Sequence, residues 1–587
     1  MTKRVWFATA AFALLSGCGG GGVNSTPTPP TPTPSPTPSP TPTPAGSIHD
    51  LKKDQHFQAD AAGSKVSFNL TSSTTITGVS SPDALTVSYD ASSKSYTIAA
   101  GGRSETFSPG DIATSDYGQV QYAKSGGTRR DYLTLVTVPY TGATPTQYVG
   151  LGYWQQNTLT NSTQDTYFNS FTYGFQSPAS AVPRAGRASF GVDVFGLAAT
   201  PGYEPREFQG HGTFDADFLS GVFSTDTYLT ETGLVSGSSI IGGGIELTGG
   251  GHIKSGNGFS GNVLYGGQDV SVAGTIEGHF YGPDAQELGA SFSASNSDGS
   301  TVAGSMTGAL DPSNPAVNET LTNIVTPQLF YTQGARLSVS TVPGGIEYST
   351  RTSTLVGQLN DLTSGNLTYG PGESDLVGGS WTTTSQVPSA DPNFISYRKS
   401  FNGQEAELDL YKPGPGNTEL ALTYASFGRW RSTQSEASEL DQVFFAYGLE
   451  TPRGLLGART GSAHYQGVVY GAGADQRGVA RYDITGTSTF DIDFSDQTYS
   501  GALAMTGAKT DGSGSLDFGS YGFSARLTSG TPMTAEIIQG TAIAGTITPR
   551  FFGPDGEEIG APFTLAIGPD KPGAGTQIAG VAVAKRQ

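Results

Sequence analysis

Residues 48–587 are written twice. Thr213-Phe214-Asp215-Ala216-Asp217-Phe218 recurs as Thr489-Phe490-Asp491-Ile492-Asp493-Phe494, 276 residues later. Gly152-Tyr153-Trp154 and Gly428-Arg429-Trp430 share that offset, as do Val302-Ala303-Gly304 and Ile578-Ala579-Gly580. The longest match joins 272–292 to 543–563 at an offset of 271 and contains Phe280-Tyr281-Gly282-Pro283-Asp284 and Phe551-Phe552-Gly553-Pro554-Asp555. Four anchors in one order mark a duplicated unit, and the slip in offset marks short loop-length changes. Two long copies exclude a solenoid, whose repeats run to about 20–50 residues. The chain must therefore fold as two related lobes.

Each copy reads as β structure. In 214–218 and 490–494 apolar residues alternate with aspartates, so period two puts the Phe, Ala and Ile side chains on one face and the carboxylates on the other. The last 130 or so residues hold eight strand candidates, near 461–470, 480–494, 498–508, 514–523, 533–538, 540–551, 557–566 and 576–584. Eight antiparallel strands suffice for a small closed barrel filled by its own side chains. The 83 glycines suit tight turns and curvature, and only 14% of residues are charged, which disfavours a helical bundle. Residues 48–175 and 312–445 carry strand-like runs that match one another poorly outside the Gly-x-Trp signatures. They are expected to form irregular β subdomains beside the barrels.

The N-terminus reads as an address. Lys3 and Arg4 precede an apolar run, Val5 to Leu15, too short to span a bilayer. It ends in Leu15-Ser16-Gly17-Cys18, which resembles a bacterial lipobox. The resemblance implies cleavage before Cys18 and acylation of that cysteine, with palmitate-like chains contributing about 0.8 kcal/mol per buried methylene. Gly19, rather than Asp, implies onward export to the outer membrane. Residues 19–46 have no charged side chain, and Thr26–Pro44 alternates Thr or Ser with Pro. Such a segment is an extended spacer that could reach roughly 55 Å. Cys18 is the chain's single cysteine, so a disulfide framework and a multi-thiolate metal site are excluded.

The expected organisation is a signal peptide at 1–17 and a lipidated, Gly/Thr/Pro-rich tether at 18–47. An N-lobe handle at 48–175 and an N-lobe barrel at 176–310 follow. The linker and C-lobe handle take 311–445 and the C-lobe barrel 446–587. Asp311-Pro312-Ser313-Asn314-Pro315 opens the linker. A lipobox, a low-complexity tether and two such lobes resemble the transferrin-binding protein B family of surface lipoproteins. Phe280–Pro283 with Glu287-Leu288-Gly289, and Phe551–Pro554 with Glu558-Ile559-Gly560, carry the resemblance. It implies an all-β, two-lobed receptor on the cell surface, brought there by a dedicated translocon. Such a receptor captures an iron-carrying host protein, a metal complex or another solute and passes it to a TonB-dependent transporter. No family contact residue maps onto the N-lobe handle. A surface adhesin or structural lipoprotein is the alternative.

Other chemistries find little support. A net charge of −19 argues against nucleic-acid binding. The six histidines show no zinc-hydrolase spacing, and no enzyme, cofactor or metal is expected. His211 lies near Asp215 and Asp217 in sequence, but a triad is recognised by geometry. His279, matched by Arg550, reads as an exposed strand position. Asp215/Asp217 and Asp491/Asp493 recur between lobes and read as the polar face of a barrel strand. Asp511-Gly512-Ser513-Gly514 reads as a glycine-rich turn rather than a calcium loop. Trp154 and Trp430 recur and are expected in cores. Trp381, in Gly379-Ser380-Trp381-Thr382, has no twin and is the candidate ligand-binding residue, expected at an interface.

Overall fold

The alternation in 213–218 and 489–494 is realised as barrel strands. In the computed structural model, which describes 46–587 except 117, 137, 139–144, 241–243, 342–347, 361–366, 372–377, 402–403, 435–439 and 477–478, the chain is all-β with two lobes. Cys18 and most of the tether lie outside the described residues. Phe214 and Ala216 point into one barrel and Phe490 and Ile492 into the other, all buried.

The N-barrel is an up-and-down meander of Arg187–Ala199, Arg206–Asp217, Val222–Gly233, Glu246–Ile253, Gly258–Gly266, Ser271–Tyr281, Glu287–Ser295 and Thr301–Leu310. The last strand pairs with the first and closes it. The C-barrel repeats this with Ser462–Ala474, Arg481–Asp493, Thr498–Lys509, Ser515–Thr528, Ala535–Gln539, Ala542–Ile547, Glu558–Ala566 and Gln577–Arg586. These match the eight strand candidates. One strand differs in kind: after Ile547 it breaks and resumes as Arg550–Phe552. Pro549 stands there and has no N–H for the ladder, whereas Gly278 at the matching N-barrel position keeps the strand continuous. Aromatic rings fill both interiors; Phe214 and Phe223, for example, stack at 4.6 Å.

The two handles match poorly in sequence yet share one topology. Each is a nine-stranded antiparallel sheet with its first strand next to the central one, Gln55–Asn69 in one and Leu329–Thr341 in the other. That strand pairs with the second strand on one side and with the last, Thr163–Gly174 or Leu440–Gly448, on the other. The Gly-x-Trp signature has a physical cause. Gly152 faces Phe171 across the sheet, and Gly428 faces Phe445. A Cβ on Gly428 would stand 2.2 Å from the Phe445 ring and one on Gly152 2.7 Å from that of Phe171. The glycine leaves room for the ring, and Trp154 or Trp430, two residues on, is fully buried in the handle core.

One buried carboxylate per lobe locks handle to barrel. Glu287 accepts the backbone N–H groups of Gln147, Tyr148 and Val149 at 2.6, 2.7 and 3.1 Å. Glu558 accepts those of Thr423, Tyr424 and Ala425 at 2.7, 2.8 and 2.8 Å. Each glutamate opens the seventh barrel strand, and each N–H triplet opens the eighth handle strand, so these groups have no ladder partner on that side. Burial pushes both carboxyls above the ordinary glutamate value, and the three N–H donors pull the other way. The Gly-Pro-Asp turns stand beside these clamps. Gly282 and Gly553 adopt φ of 85° and 89°, which favours glycine, and donate to Phe175 O and Leu449 O at 2.9 Å. Asp60 of the handle adds a contact in the N-lobe, 2.8 Å from His279 Nδ1. His279 is therefore no exposed strand position: the handle packs on it.

The lobes meet through the C-lobe's turn. Asp555 takes hydrogen bonds from Asn262 of the N-barrel and from Arg459 and Arg586 of its own lobe. Glu557 lies 2.5 Å from His252, and Val222 packs with Tyr424, Ala425 and Phe552. The linker also docks. Arg187 donates to the carbonyls of Val317 and Asn323, and Glu319 accepts the Ser224 hydroxyl at 2.7 Å.

Two predictions follow from these contacts. Replacing Glu287 or Glu558 by Ala strands three N–H donors and should lower stability by about 1–3 kcal/mol. Urea unfolding should show this, with hydrogen-exchange protection lost at 147–149 or 423–425. The second concerns pH. Burial raises Glu319 to about 7, with Asp215 and Asp217 adding to the rise and Arg187 opposing it. The Glu557 hydrogen bond raises His252, against burial and Arg586. Both groups hold their proton more tightly when folded. Their contribution is therefore complete below the unfolded values, 4.5 for Glu319 and 6.5 for His252, and is lost as pH rises through the folded ones. Proteolysis within 311–325 should accelerate between pH 6 and pH 8, and His252→Gln together with Glu319→Gln should flatten that dependence.

Candidate binding surface

Handle and barrel turns gather at one end of the N-lobe. The turn Pro201-Gly202-Tyr203-Glu204-Pro205 joins the first two barrel strands. The first handle hairpin reaches it: Thr75 N–H donates to Tyr203 O at 2.7 Å, and Gly202 N–H donates to Thr75 O at 2.9 Å. The next turn, after Gly233, is held on the other side. Leu234 N–H donates to Pro205 O at 3.0 Å, and Glu204 accepts Val235 N–H, Ser236 N–H and the Ser236 hydroxyl at 3.1, 2.9 and 2.6 Å. Ser236, through its hydroxyl and then its N–H, holds the Glu204 carboxyl below the usual glutamate range.

The third turn is anchored similarly. Arg206 pairs with Asp269 at 2.7 Å, and buried Glu231 accepts the Tyr265 hydroxyl at 2.5 Å and Gln268 N–H at 3.3 Å. Charged side chains thus tie the turns down while apolar ones face out. Ile76, Tyr203, Leu234 and Val235 keep 47, 52, 51 and 53% of their surface exposed. An apolar group on pre-ordered turns can bury its surface against a protein without ordering loops first. The matching end of the C-barrel presents Val479, Ile538 and Ile543, spread around a rim that includes the polar turn Asp511-Gly512-Ser513-Gly514.

Trp381 does not have the expected exposure. It is fully buried in the C-handle core, with the Lys399 ammonium 4.2 Å above its ring. The strand Gly379–Trp381 is an edge strand whose Gly379 and Ser380 are exposed, and alternation turns Trp381 to the core face and Ser380 away from it. The paired aspartates are turn and strand-face groups. Asp217 Oδ1 accepts Leu219 and Ser220 N–H, and Asp493 Oδ1 accepts Ser495 and Asp496 N–H. Asp215 takes the Thr213 hydroxyl, and His211 is exposed opposite Tyr228. Histidines serve as ties: His49 to Thr146 O, His56 to Ser88, His464 to Asp491. Among the described residues no group of three or more His, Cys, Asp or Glu is placed to hold a metal ion.

Sequence reasoning missed Tyr203, Leu234 and Val235. An aromatic between Gly202 and Pro205, in a turn where polar residues are usual, was the available signal.

The family comparison decides the kinship. The model described as "C-lobe and N-lobe beta barrels of Tf-binding protein B" matches 213–309 and 458–586. Both barrels are similar to those of transferrin-binding protein B. The protein is a two-lobed, transferrin-binding-protein-like chain. A transferrin binding protein B from Haemophilus parasuis (a double mutant) is 16% identical, covering 75% of this chain and 84% of that one, with a TM-score of 0.28. Intact Ap-TbpB, with N and C lobes, is 13% identical over 93% and 99%, with a TM-score of 0.26. The isotype 1 protein of serogroup B Neisseria meningitidis is 17% identical over 77% and 89%, with a TM-score of 0.23. A comparison with curated proteins returned no match.

If Glu204 holds the turns, Glu204→Ala should speed amide exchange at Val235 and Ser236 at least tenfold while leaving the melting temperature within a few degrees. Hydrogen-exchange mass spectrometry checks this.

Proposed function

We propose that the protein is an outer-membrane lipoprotein, anchored through Cys18, that captures an extracellular ligand at the apolar end of its N-lobe. The ligand is a protein or metal complex, and delivery is to a TonB-dependent transporter in iron acquisition. The group Ile76, Tyr203, Leu234 and Val235, held outward on hydrogen-bonded turns, carries this reading. A role in a family named for transferrin binding supports a protein as ligand. The Thr/Pro-rich spacer would lift the lobes from the membrane, and surface delivery would need a lipoprotein translocon.

Two experiments test this. Cys18→Ala should move the protein from the outer-membrane fraction to the soluble one; continued sedimentation with membranes would sink the anchor. Full-length protein, immobilised in detergent, should retain a component of iron-poor growth medium. Tyr203→Ser with Leu234→Ser and Val235→Ser should reduce that retention at least tenfold with the melting temperature preserved. Undiminished retention would remove the N-lobe end from the reading.

A further inference from the structure

The two barrels can be laid over one another by strand register. Arg187 opposite Asp217 corresponds to Ser462 opposite Asp493, and Ser189 opposite Asp215 to His464 opposite Asp491. Ser224 opposite Gly250 corresponds to Ser500 opposite Ser524, and Val222 opposite His252 to Thr498 opposite Arg526. The same outer face can therefore be compared position by position.

On the N-barrel that face is covered. The linker from Asp311 crosses it, starting with Asp311 N–H on Ser189 O at 2.8 Å. Asn323 donates to Asp217 at 2.9 Å, and Pro554 of the C-lobe lies over Gly250. Two carboxylates seat the cover: Glu319 on Ser224 at 2.7 Å and Glu557 on His252 at 2.5 Å. Beneath it Asp217 is fully buried and Asp215 is 8% exposed.

On the C-barrel the same positions line an open groove of about 630 Å³, with Ser462, His464, Asp491, Ser500, Ser524 and Arg526 on its walls. Here the Asp491 side chain is 63% exposed. The groove's own acids are engaged locally. Asp491 pairs with His464 at 2.6 Å, and Asp493 caps its own turn. At the two points where the N-barrel receives carboxylates, the C-barrel keeps a donor. Ser500 repeats Ser224, and Arg526 replaces His252 with a permanent cation. Arg526 is exposed and has no ion pair among the described residues.

We infer that this C-barrel groove docks an extended, proline-containing acidic segment of a partner protein, its carboxylates seated on Ser500 and Arg526 as Glu319 and Glu557 are on Ser224 and His252. The inference does not rest on capture at the N-lobe end; it concerns another face and another lobe.

The test uses a fluorescent synthetic peptide with the sequence of residues 311–320, titrated into full-length protein in detergent and read by anisotropy. Saturable binding is expected, weakened at least tenfold by Ser500→Phe and by Gln in place of the peptide's Glu, and weakened also by Arg526→Glu, which sets a like charge beside the acidic peptide. Each variant should keep the wild-type melting temperature; if one unfolds, the other and the Gln peptide still decide. Absence of saturable binding at millimolar peptide, or binding that these changes leave untouched, overturns the inference. So does binding that responds instead to Ser224→Ala with His252→Gln, which would put the peptide on the N-barrel. Self-association lost in Arg526→Glu, seen by sedimentation, would make a second copy the occupant and also overturn it.

Discussion

A glutamate with no exposed surface to spare holds each lobe together. Glu287 and Glu558 each take three consecutive backbone N–H groups at the point where a handle strand begins beside a barrel strand. Without that carboxylate the strand start would bury three donors with no acceptor, which costs more than an ordinary hydrogen bond contributes. The clamp also fixes which barrel strand the handle meets, and so the direction in which each handle leaves its barrel. The Gly-Pro-Asp turn stands beside this junction, and the Gly-x-Trp pair lies in the same handle strand that the glutamate holds at its start.

Duplication then supplies two copies of every surface, and the copies diverge by what covers them. The C-lobe junction turn is spent on the lobe interface, where Asp555 and Glu557 reach Asn262 and His252. The N-barrel face is closed by the linker, and the matching C-barrel face is open. Similar divergence shows in single residues. Tyr153, after the glycine in Gly-x-Trp, stacks on Phe195 of its barrel at 4.4 Å, whereas Arg429 at the matching position pairs with Asp409. At this position the N-handle sends a ring to its barrel, whereas the C-handle spends the position on an ion pair within its own sheet.

Much of this was legible in the chain. Alternation in Phe214-Asp215-Ala216-Asp217-Phe218 set the inward face, and glycine-rich turns set the eight C-barrel strands. Repetition identified Trp154, Trp430, Glu287 and Glu558 as positions of consequence, though not what Glu287 and Glu558 do. Their three N–H partners stand more than 130 residues away, and no local pattern announces a long-range hydrogen bond. Trp381 shows the converse. A tryptophan without a twin looked free for recognition, but its place on a short strand turned it into the handle core.

The sequence by itself determined two all-β lobes and eight-stranded barrels, because period-two patterning and repetition are properties of neighbouring residues. Only the tertiary structure decided that poorly matched handles share one strand order. It alone decided that His279 faces Asp60, that Tyr203, Leu234 and Val235 converge on one end, and that one of two equivalent barrel faces is covered. Those are outcomes of packing between distant segments. Exposure belongs to the surface left after packing, and a linear pattern does not carry it.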